Sequence, residues 1–393
     1  MSLMMPTMMV GNRGIPQSTL GSKLEELAEL EFRFGRFPLL IKGYLKVENV
    51  FIMLINSEGN WVHRECGNSV VEDRNGQKIS DYTLVADGLV SIIDTCADSR
   101  ILNGIIKNSS PELRSYIGHP LETKGGSRIG VLCAWGSQPR LFTEDEQKIF
   151  EDAVFWIQRE LSSALELERA ADIQRSFLPE GDLQIQGYEI AGFCQPHFSV
   201  GGDFYDWFRS SNGVAFTLGD VMGKGIGSAI MAASVRAAIR ATSWDHGVLE
   251  GMKIATQVLE SDLRKAEAFV TLIHGQLDTY SHLVSYVDAG HGLTMHLTKN
   301  GKITRMDTAN FPIGTGLVEE WEVQTIEMAP GDTLLMLSDG FLDMFEGSMD
   351  RLNEIAEIAL TWKDASEIVV ELQKIVRGST TPDDVTALVL RRN

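Results

Sequence analysis

Four acidic sites sit where apolar runs begin or end. Val214-Ala215-Phe216-Thr217-Leu218-Gly219 leads into Asp220, and Thr333-Leu334-Leu335-Met336-Leu337-Ser338 leads into Asp339 and Gly340. In a third stretch, Gly201-Gly202-Asp203-Phe204-Tyr205-Asp206, the two leading glycines let the backbone approach closely. The fourth, Pro382-Asp383-Asp384, precedes the run Val385–Leu390. A single strand-end aspartate is commonly a turn former. Four in one region point instead to convergence, and converging carboxylates remain ionised at neutral pH only with cations between them. Oxygen-only donors select hard divalent ions, Mg²⁺ or Mn²⁺, over zinc. Two such ions about 3.5–4 Å apart activate a shared water and clamp a phosphoryl oxygen. The chemistry implied is hydrolysis of a phosphate ester. No covalent nucleophile competes: there is no Gly-x-Ser-x-Gly, and none of the four cysteines lies in a Cys-x5-Arg loop.

The segment Gly219-Asp220-Val221-Met222-Gly223-Lys224-Gly225 looks at first like a nucleotide loop. Its glycine spacing fails both the P-loop and the dinucleotide fingerprint, and Gly225 stands where Ser or Thr is needed. The better reading makes Asp220 a ligand and the glycines a tight strand-to-helix turn, with Lys224 meeting phosphate, an acidic neighbour or solvent. His291 has two readings, a general acid or phosphate contact, or a turn residue whose ring bonds to backbone. The second is preferred.

Around these residues the runs Ile190–Cys194, Val214–Leu218, Phe269–Leu277, Leu283–Val287, Thr333–Leu337 and Val385–Leu390 read as strands. Helical patterns fall at about Gly225–Ser243, Val248–Lys265, Met349–Leu360 and Ala365–Val376. Strands adjacent in sequence with short turns, and helices in groups, favour an antiparallel α+β sandwich over a doubly wound parallel sheet.

Five motifs occur in one order: Ser199–Asp206, Gly219–Gly225, Asp288-Ala289-Gly290-His291, Ser338-Asp339-Gly340 and Asp383-Asp384-Val385-Thr386. In this they resemble the SpoIIE-like branch of the PPM-type protein serine/threonine phosphatases, over about Ala171 to Asn393. The resemblance implies an α-β-β-α sandwich with a two-ion Mn²⁺ or Mg²⁺ site. It implies that Asp220 bridges the ions, that Val221 gives its carbonyl, and that Asp339 and Asp383 are carboxylate ligands. Asp203 would support the second ion, and Asp384 lies beside the expected ligand. Asp220 and Asp339 are thus the candidate catalytic residues. The substrate implied is a phosphoserine or phosphothreonine on a partner protein, in this branch often a small anti-sigma-factor antagonist. Gly292 where the family often has Asn-Pro, and Phe341-Leu342-Asp343 in place of Val-Thr-Glu, touch no ligand position.

Before this region, Leu24, Leu27, Leu30 and Phe34 recur at helical spacing. Val50–Ile55 and Trp61–Arg64 read as strands joined by a turn at Glu58-Gly59-Asn60, and Ser127–Ala134 as a further strand. Thr143 is placed to cap a helix that runs to Leu178, about 50 Å at 1.5 Å per residue. Phe150, Val154, Ile157, Leu161 and Ala164 follow a 4-3-4-3 spacing, the seam of a coiled coil. That spacing is met by a helix packed on its own domain or by one that pairs with a second chain. The second is modestly favoured and predicts a homodimer through Phe150–Ala164. Pro120-Leu121, Gly125–Leu132 and Phe142-Thr143-Glu144 resemble the closing strand and last helix of a GAF sensor domain, over about Ser22 to Ser163. That resemblance implies a small-molecule pocket without naming its ligand. Cys66, Cys96 and Cys133 are expected to be buried small hydrophobes.

The domain division expected is a leading tail at 1–21, a GAF-like sensor at 22–163, a linker helix at 144–178 overlapping it, and the phosphatase domain at 179–393. The 393 residues carry 35 Lys and Arg against 54 Asp and Glu, a formal charge of −19. Such a deficit of cations argues against a nucleic-acid or anionic-membrane surface. No run approaches the ~18 apolar residues of a spanning helix, the start lacks a basic signal region, and the expectation is a cytoplasmic regulator. Two rivals stand beside the phosphatase. One is an inactive sensor that binds a partner through the same fold, against which the intact set Asp220, Asp339 and Asp383 argues. The other is a hydrolase of small phosphate esters.

Overall fold

The computed structural model describes residues 36–55, 61–65, 79–105, 112–210, 213–306, 308–317, 320–379 and 381–393. The leading tail, the helix expected ahead of Arg36, the turn at Glu58-Gly59-Asn60 and Cys66 lie outside the described residues. The chain divides into two compact units, one ending at Glu168 and the other spanning Arg169–Asn393.

The first unit holds α1 (Arg36–Leu45), β1 (Asn49–Ile55), β2 (Trp61–Glu65), α2 (Ile79–Val85), β3 (Val90–Ile92), α3 (Ser99–Leu102), β4 (Ser115–Glu122), β5 (Arg128–Gly136) and the first part of α4 (Glu144–Phe177). Its antiparallel sheet runs β2-β1-β5-β4-β3. Alternation on the central strand β5 sends Leu132 and Ala134 into one apolar cluster and Val131 and Cys133 into the other. Helix α4 opens with a reciprocal cap: the Glu146 N–H donates to Thr143 Oγ1 (3.3 Å) and the Thr143 N–H donates to Glu146 Oε2 (2.9 Å).

The 4-3-4-3 seam finds its partner inside this unit. Phe150, Val154, Ile157, Leu161 and Ala164 are all buried, packed with Ile41, Leu45, Ile52, Leu54 and Leu132. The reading of this stripe as a seam facing a second chain is therefore corrected. One stripe of side chains cannot fill the unit's own core and also face a second chain, and a helix on a sheet needs much the same spacing as a coiled coil. The cysteine expectation is also corrected in part. Cys133 is buried, and burial pushes its thiol up to about 12, whereas Cys96 is exposed.

The second unit is a four-layer sandwich. One sheet has the order β14 (Gln324–Glu327), β11 (Leu283–Ala289), β10 (Val270–Asp278), β9 (Gly213–Val221), β8 (Phe204–Ser210). The other has the order β13 (Ile303–Arg305), β12 (Thr294–Leu297), β15 (Thr333–Leu337), β16 (Val385–Arg392), β7 (Tyr188–Gln195), β6 (Leu183–Ile185). Every pairing is antiparallel. Tyr205, Trp207, Phe216, Leu218, Met336 and Leu388 form the layer between the sheets. Helices α5 (Ile226–Thr242) and α6 (Val248–Lys265) cover the first sheet through Ala232, Val235, Met252 and Leu259. Helices α7 (Gly340–Asp343), α8 (Met349–Leu360) and α9 (Ala365–Arg377) cover the second through Phe341, Ile355, Ile368 and Leu372. This is the α-β-β-α architecture that the sequence resemblance implies.

Among the buried polar groups, His274 on β10 is a core residue. Thr217 Oγ1 meets its Nδ1 and Ser243 Oγ its Nε2, each at 2.9 Å, and burial pushes the imidazole down to about 4, leaving it neutral.

Candidate metal and phosphate site

The acidic residues cluster because strand ends from both sheets share one end of the sandwich. Asp203 enters β8, Asp220 lies near the end of β9, Asp339 follows β15, and Asp383 and Asp384 lead into β16. Register ties each pair: Phe204 opposes Gly219 in one sheet and Leu337 opposes Ala387 in the other. Gly223 and Gly225 adopt φ of 100° and 81°, which L side chains rarely reach, so the chain turns at once from β9 into α5.

The carboxylates act on one another. Asp203 is buried and its carboxyl is raised well above the usual range, first by desolvation and then by Asp220. Asp220 is pushed up to about 7, again by burial first and then by Asp339, Asp383 and Asp384. The Asp339 carboxyl rises through desolvation, Asp383 and Asp343. Among the described residues, however, no three His, Cys, Asp or Glu side chains close on one point tightly enough to ligate an ion. The residues nonetheless fit hard divalent cations on other grounds. Every donor is oxygen, Asp203 Oδ2 is buried with no hydrogen-bond partner, and mutual repulsion is the arrangement that cations relieve. The glycines keep the space open: a Cβ at Gly202 would stand 2.5 Å from Val221 O and 3.2 Å from Asp220 Oδ1.

The adjacent pair Asp383 and Asp384 separates by partner. Asp384 is buried and accepts backbone N–H bonds from His197 (2.8 Å) and Gly202 (2.7 Å), one at each oxygen. Asp383 keeps one oxygen on Lys224 Nζ at 2.8 Å and caps the Asp384 N–H with the other. Lys224 also donates to Pro382 O at 2.8 Å. Asp384 is thus the tie that holds the 197–203 loop, and Asp383 is the half-exposed carboxylate of the pair.

Asp206, within the third acidic stretch, points away from this cluster. It is buried beneath α5, accepting two bonds from Arg240 Nη1 (2.7 and 2.9 Å) with Arg236 Nη2 at 3.3 Å. His291 departs from its expected role. Its backbone N–H donates to Asp288 Oδ1 at 2.8 Å, but the ring Nε2 is buried without a partner, and burial holds the imidazole down at about 4. Asp288 is itself pushed up to about 6 by burial against those turn N–H groups.

Sequence reasoning missed Gln174. Its amide donates to Gly201 O (2.7 Å) and accepts from the Gly201 N–H (3.2 Å), so the end of α4 grips the loop that carries Gly202 and Asp203. A lone glutamine on a helix gives no sequence signal of such a role.

Residues 210–393 match the family described as Stage II sporulation protein E (SpoIIE). Protein IcfG of Synechocystis sp. is 25% identical over 264 residues, covering 58% of this chain and 42% of IcfG. Phosphoserine phosphatase RsbU of Bacillus subtilis is 24% identical over 247 residues, covering 60% of this chain and 72% of RsbU. The chain thus spans about two fifths of the length of IcfG. Among solved structures, the SiaA-PP2C domain of Pseudomonas aeruginosa superposes with a TM-score of 0.52 at 21% identity, covering 60% of this chain and 99% of that domain. Fold, motif order and family match agree: residues 210–393 are similar to the SpoIIE family, on a PPM-type phosphatase fold.

Proposed function

We propose that the protein is a metal-dependent protein serine/threonine phosphatase that dephosphorylates a partner protein in the cytoplasm, under control of its N-terminal unit. The observation that carries this reading is the group Asp203, Asp220, Asp339 and Asp383 at one end of a PPM-type sandwich, with Asp203 Oδ2 buried and unpartnered. Asp220 would bridge two Mn²⁺ or Mg²⁺ ions, the Val221 carbonyl, Asp339 and Asp383 would complete their protein ligands, and Asp203 would support the second. Bound divalent ions supply a nucleophilic water and neutralise phosphoryl charge. The chain's own contribution is to keep the carboxylates desolvated, hold the 197–203 loop through Asp384, and keep side chains off Gly201 and Gly202. RsbU is by name a phosphoserine phosphatase, which supports the same substrate group here. A small anti-sigma-factor antagonist is the partner class that the SpoIIE likeness implies. Among the described residues no helix is long and apolar enough to cross a membrane.

The test is phosphate release from p-nitrophenyl phosphate and a phosphoserine peptide by the full chain, with Mn²⁺, Mg²⁺ or EDTA. Release with either metal, absent in EDTA and absent for Asp339→Asn, is the expected result. Equal release in EDTA would remove the metal from the mechanism.

Regulation is read from α4. A GAF-like first unit that changes the position of this helix would act on Gly201 through Gln174, and so on the order of the acidic loop. Gln174→Ala is expected to lower kcat about tenfold, as for loss of an outer-shell partner, with the melting temperature nearly unchanged. An unaltered kcat would remove Gln174 from the control path.

A further inference from the structure

Several exposed apolar side chains lie beside the acidic cluster. Met222 is exposed just past Asp220, with its N–H bonded to the carbonyl of the exposed Phe269 at 3.0 Å. The next element, α5, shows Ile226 and Ile230 to solvent at 56% and 60% exposure, one turn apart on one face. From Ile226 to Val235 this helix has no charged residue. It stands against the site, because a Cβ at Gly202 would come within 3.3 Å of the Ser228 side chain. The exposed Phe311 belongs to the segment that bridges to the start of β10 through Ile313 and Val270. On the loop tied to Asp384, Phe198 is exposed with its ring 4.5 Å from that of His197. Single exposed apolar residues need no explanation, but a group of them beside a functional centre marks an interaction surface.

Charge narrows the occupant. Lys224 on this rim already serves Asp383 and the Pro382 carbonyl, and the centre itself is a set of carboxylates. Ions held there would attract the phosphoryl group alone. Affinity for the rest of a substrate must then come from another source, and the helix face that continues from the centre offers Ile226 and Ile230, followed by Ser234 with its hydroxyl bonded back to the Ile230 carbonyl. We propose that Ile226, Ile230 and Met222 dock an apolar stretch of the partner protein next to its phosphoserine, so that the enzyme selects substrates by hydrophobic flanking residues rather than by charge. This rests on the phosphatase reading above and specifies its substrate.

Two synthetic phosphoserine peptides of equal charge test it, one with leucines and one with serines flanking the phosphoserine. With Mn²⁺ and the full chain, kcat/KM should favour the leucine peptide by about tenfold or more, the range that apolar contacts supply. Ile230→Glu should erase that preference while p-nitrophenyl phosphate turnover stays within about twofold, and Ile226→Ser should reduce it. Fluorescence anisotropy on Asp339→Asn protein should show the same preference as binding, free of turnover. Melting temperatures of the two isoleucine variants check that they fold. Equal hydrolysis of both peptides, with p-nitrophenyl phosphate also cleaved, would overturn the docking proposal and leave the phosphatase standing. Silence toward all three substrates would overturn both. A dimer of the full chain that Ile230→Glu dissociates would assign the face to a second copy and overturn the proposal.

Discussion

Replacing Asp220 with Asn is expected to abolish metal-dependent phosphate release, by well over the ~10–100-fold that loss of an outer-shell partner costs, while making the metal-free protein more stable. Asp220 sits where the influences of Asp339, Asp383 and Asp384 meet, and on the proposed reading it would be the ligand shared by the ions. The stability effect follows from the same crowding. Its carboxyl titrates at about 7 in the folded chain, against about 3.9 when unfolded. The folded state therefore holds a proton that the unfolded state has lost between those two values. This site's contribution is fully present below about pH 4, declines as pH rises, and is gone above about pH 7. Metal-free wild-type protein should melt lower at about pH 8 than at about pH 5 on this account, and Asp220→Asn should flatten that slope. Relief of ~1 kcal/mol of repulsion corresponds to about 2–4 °C for a domain of this size. Added Mn²⁺ should raise the wild-type melting temperature most at the alkaline end and do little for the variant. Melting curves across pH, with and without metal, decide the matter, and a variant that kept its turnover would remove Asp220 from the centre.

Asp206→Ala should be the most damaging change to stability near the site, by about 3–5 kcal/mol, the cost of leaving one member of a buried ion pair alone. Asp206 is 2% exposed, while Arg236 is 15% exposed and Arg240 40% exposed. Arg240 can turn to water, stacked as it is over the Phe208 ring, but Arg236 cannot. At about 2–4 °C per kcal/mol, the melting temperature should fall by about 6–20 °C. The fraction that stays folded should retain most of its turnover, because Asp206 faces α5 and not the acidic centre. A small shift in melting temperature would mean that Arg236 finds another partner.

The acidic cluster was largely legible because strand-end aspartates leave a local mark, an apolar run that meets Asp. The run over Thr333–Leu337 leads into Asp339 and Gly340, and Val385–Leu390 follows Asp383-Asp384, so both carried their assignment in the sequence. Where local pattern is shared by two outcomes, the sequence could not choose. The stripe Phe150 to Ala164 has a period common to a coiled coil and to a helix packed on its own sheet, and only the presence of β1 and β5 beneath it decides. Adjacent Asp383 and Asp384 look alike until His197 and Gly202, nearly two hundred residues away, claim one of them. Asp206 shares a stretch with Asp203, and nothing local shows that its own partners, Arg236 and Arg240, lie on a different element. Strand β4 was hidden by Pro120, a residue that seldom marks an interior strand. Gln174 left no trace, since helices carry glutamine for many reasons.

The position of β16 has a consequence for the order in which the molecule assembles. The C-terminal strand of the sequence lies between β15 and β7, inside its sheet rather than at an edge. The residues that precede it provide Asp383 and the acceptor oxygens of Asp384 that tie down the 197–203 loop. A chain that has not yet gained these residues has two open sheet edges, an untied loop and an incomplete acidic group. Contacts over so great a sequence separation form late, after the loop-closure entropy has been met. The acidic centre is therefore assembled among the last events of folding, once the second unit has closed.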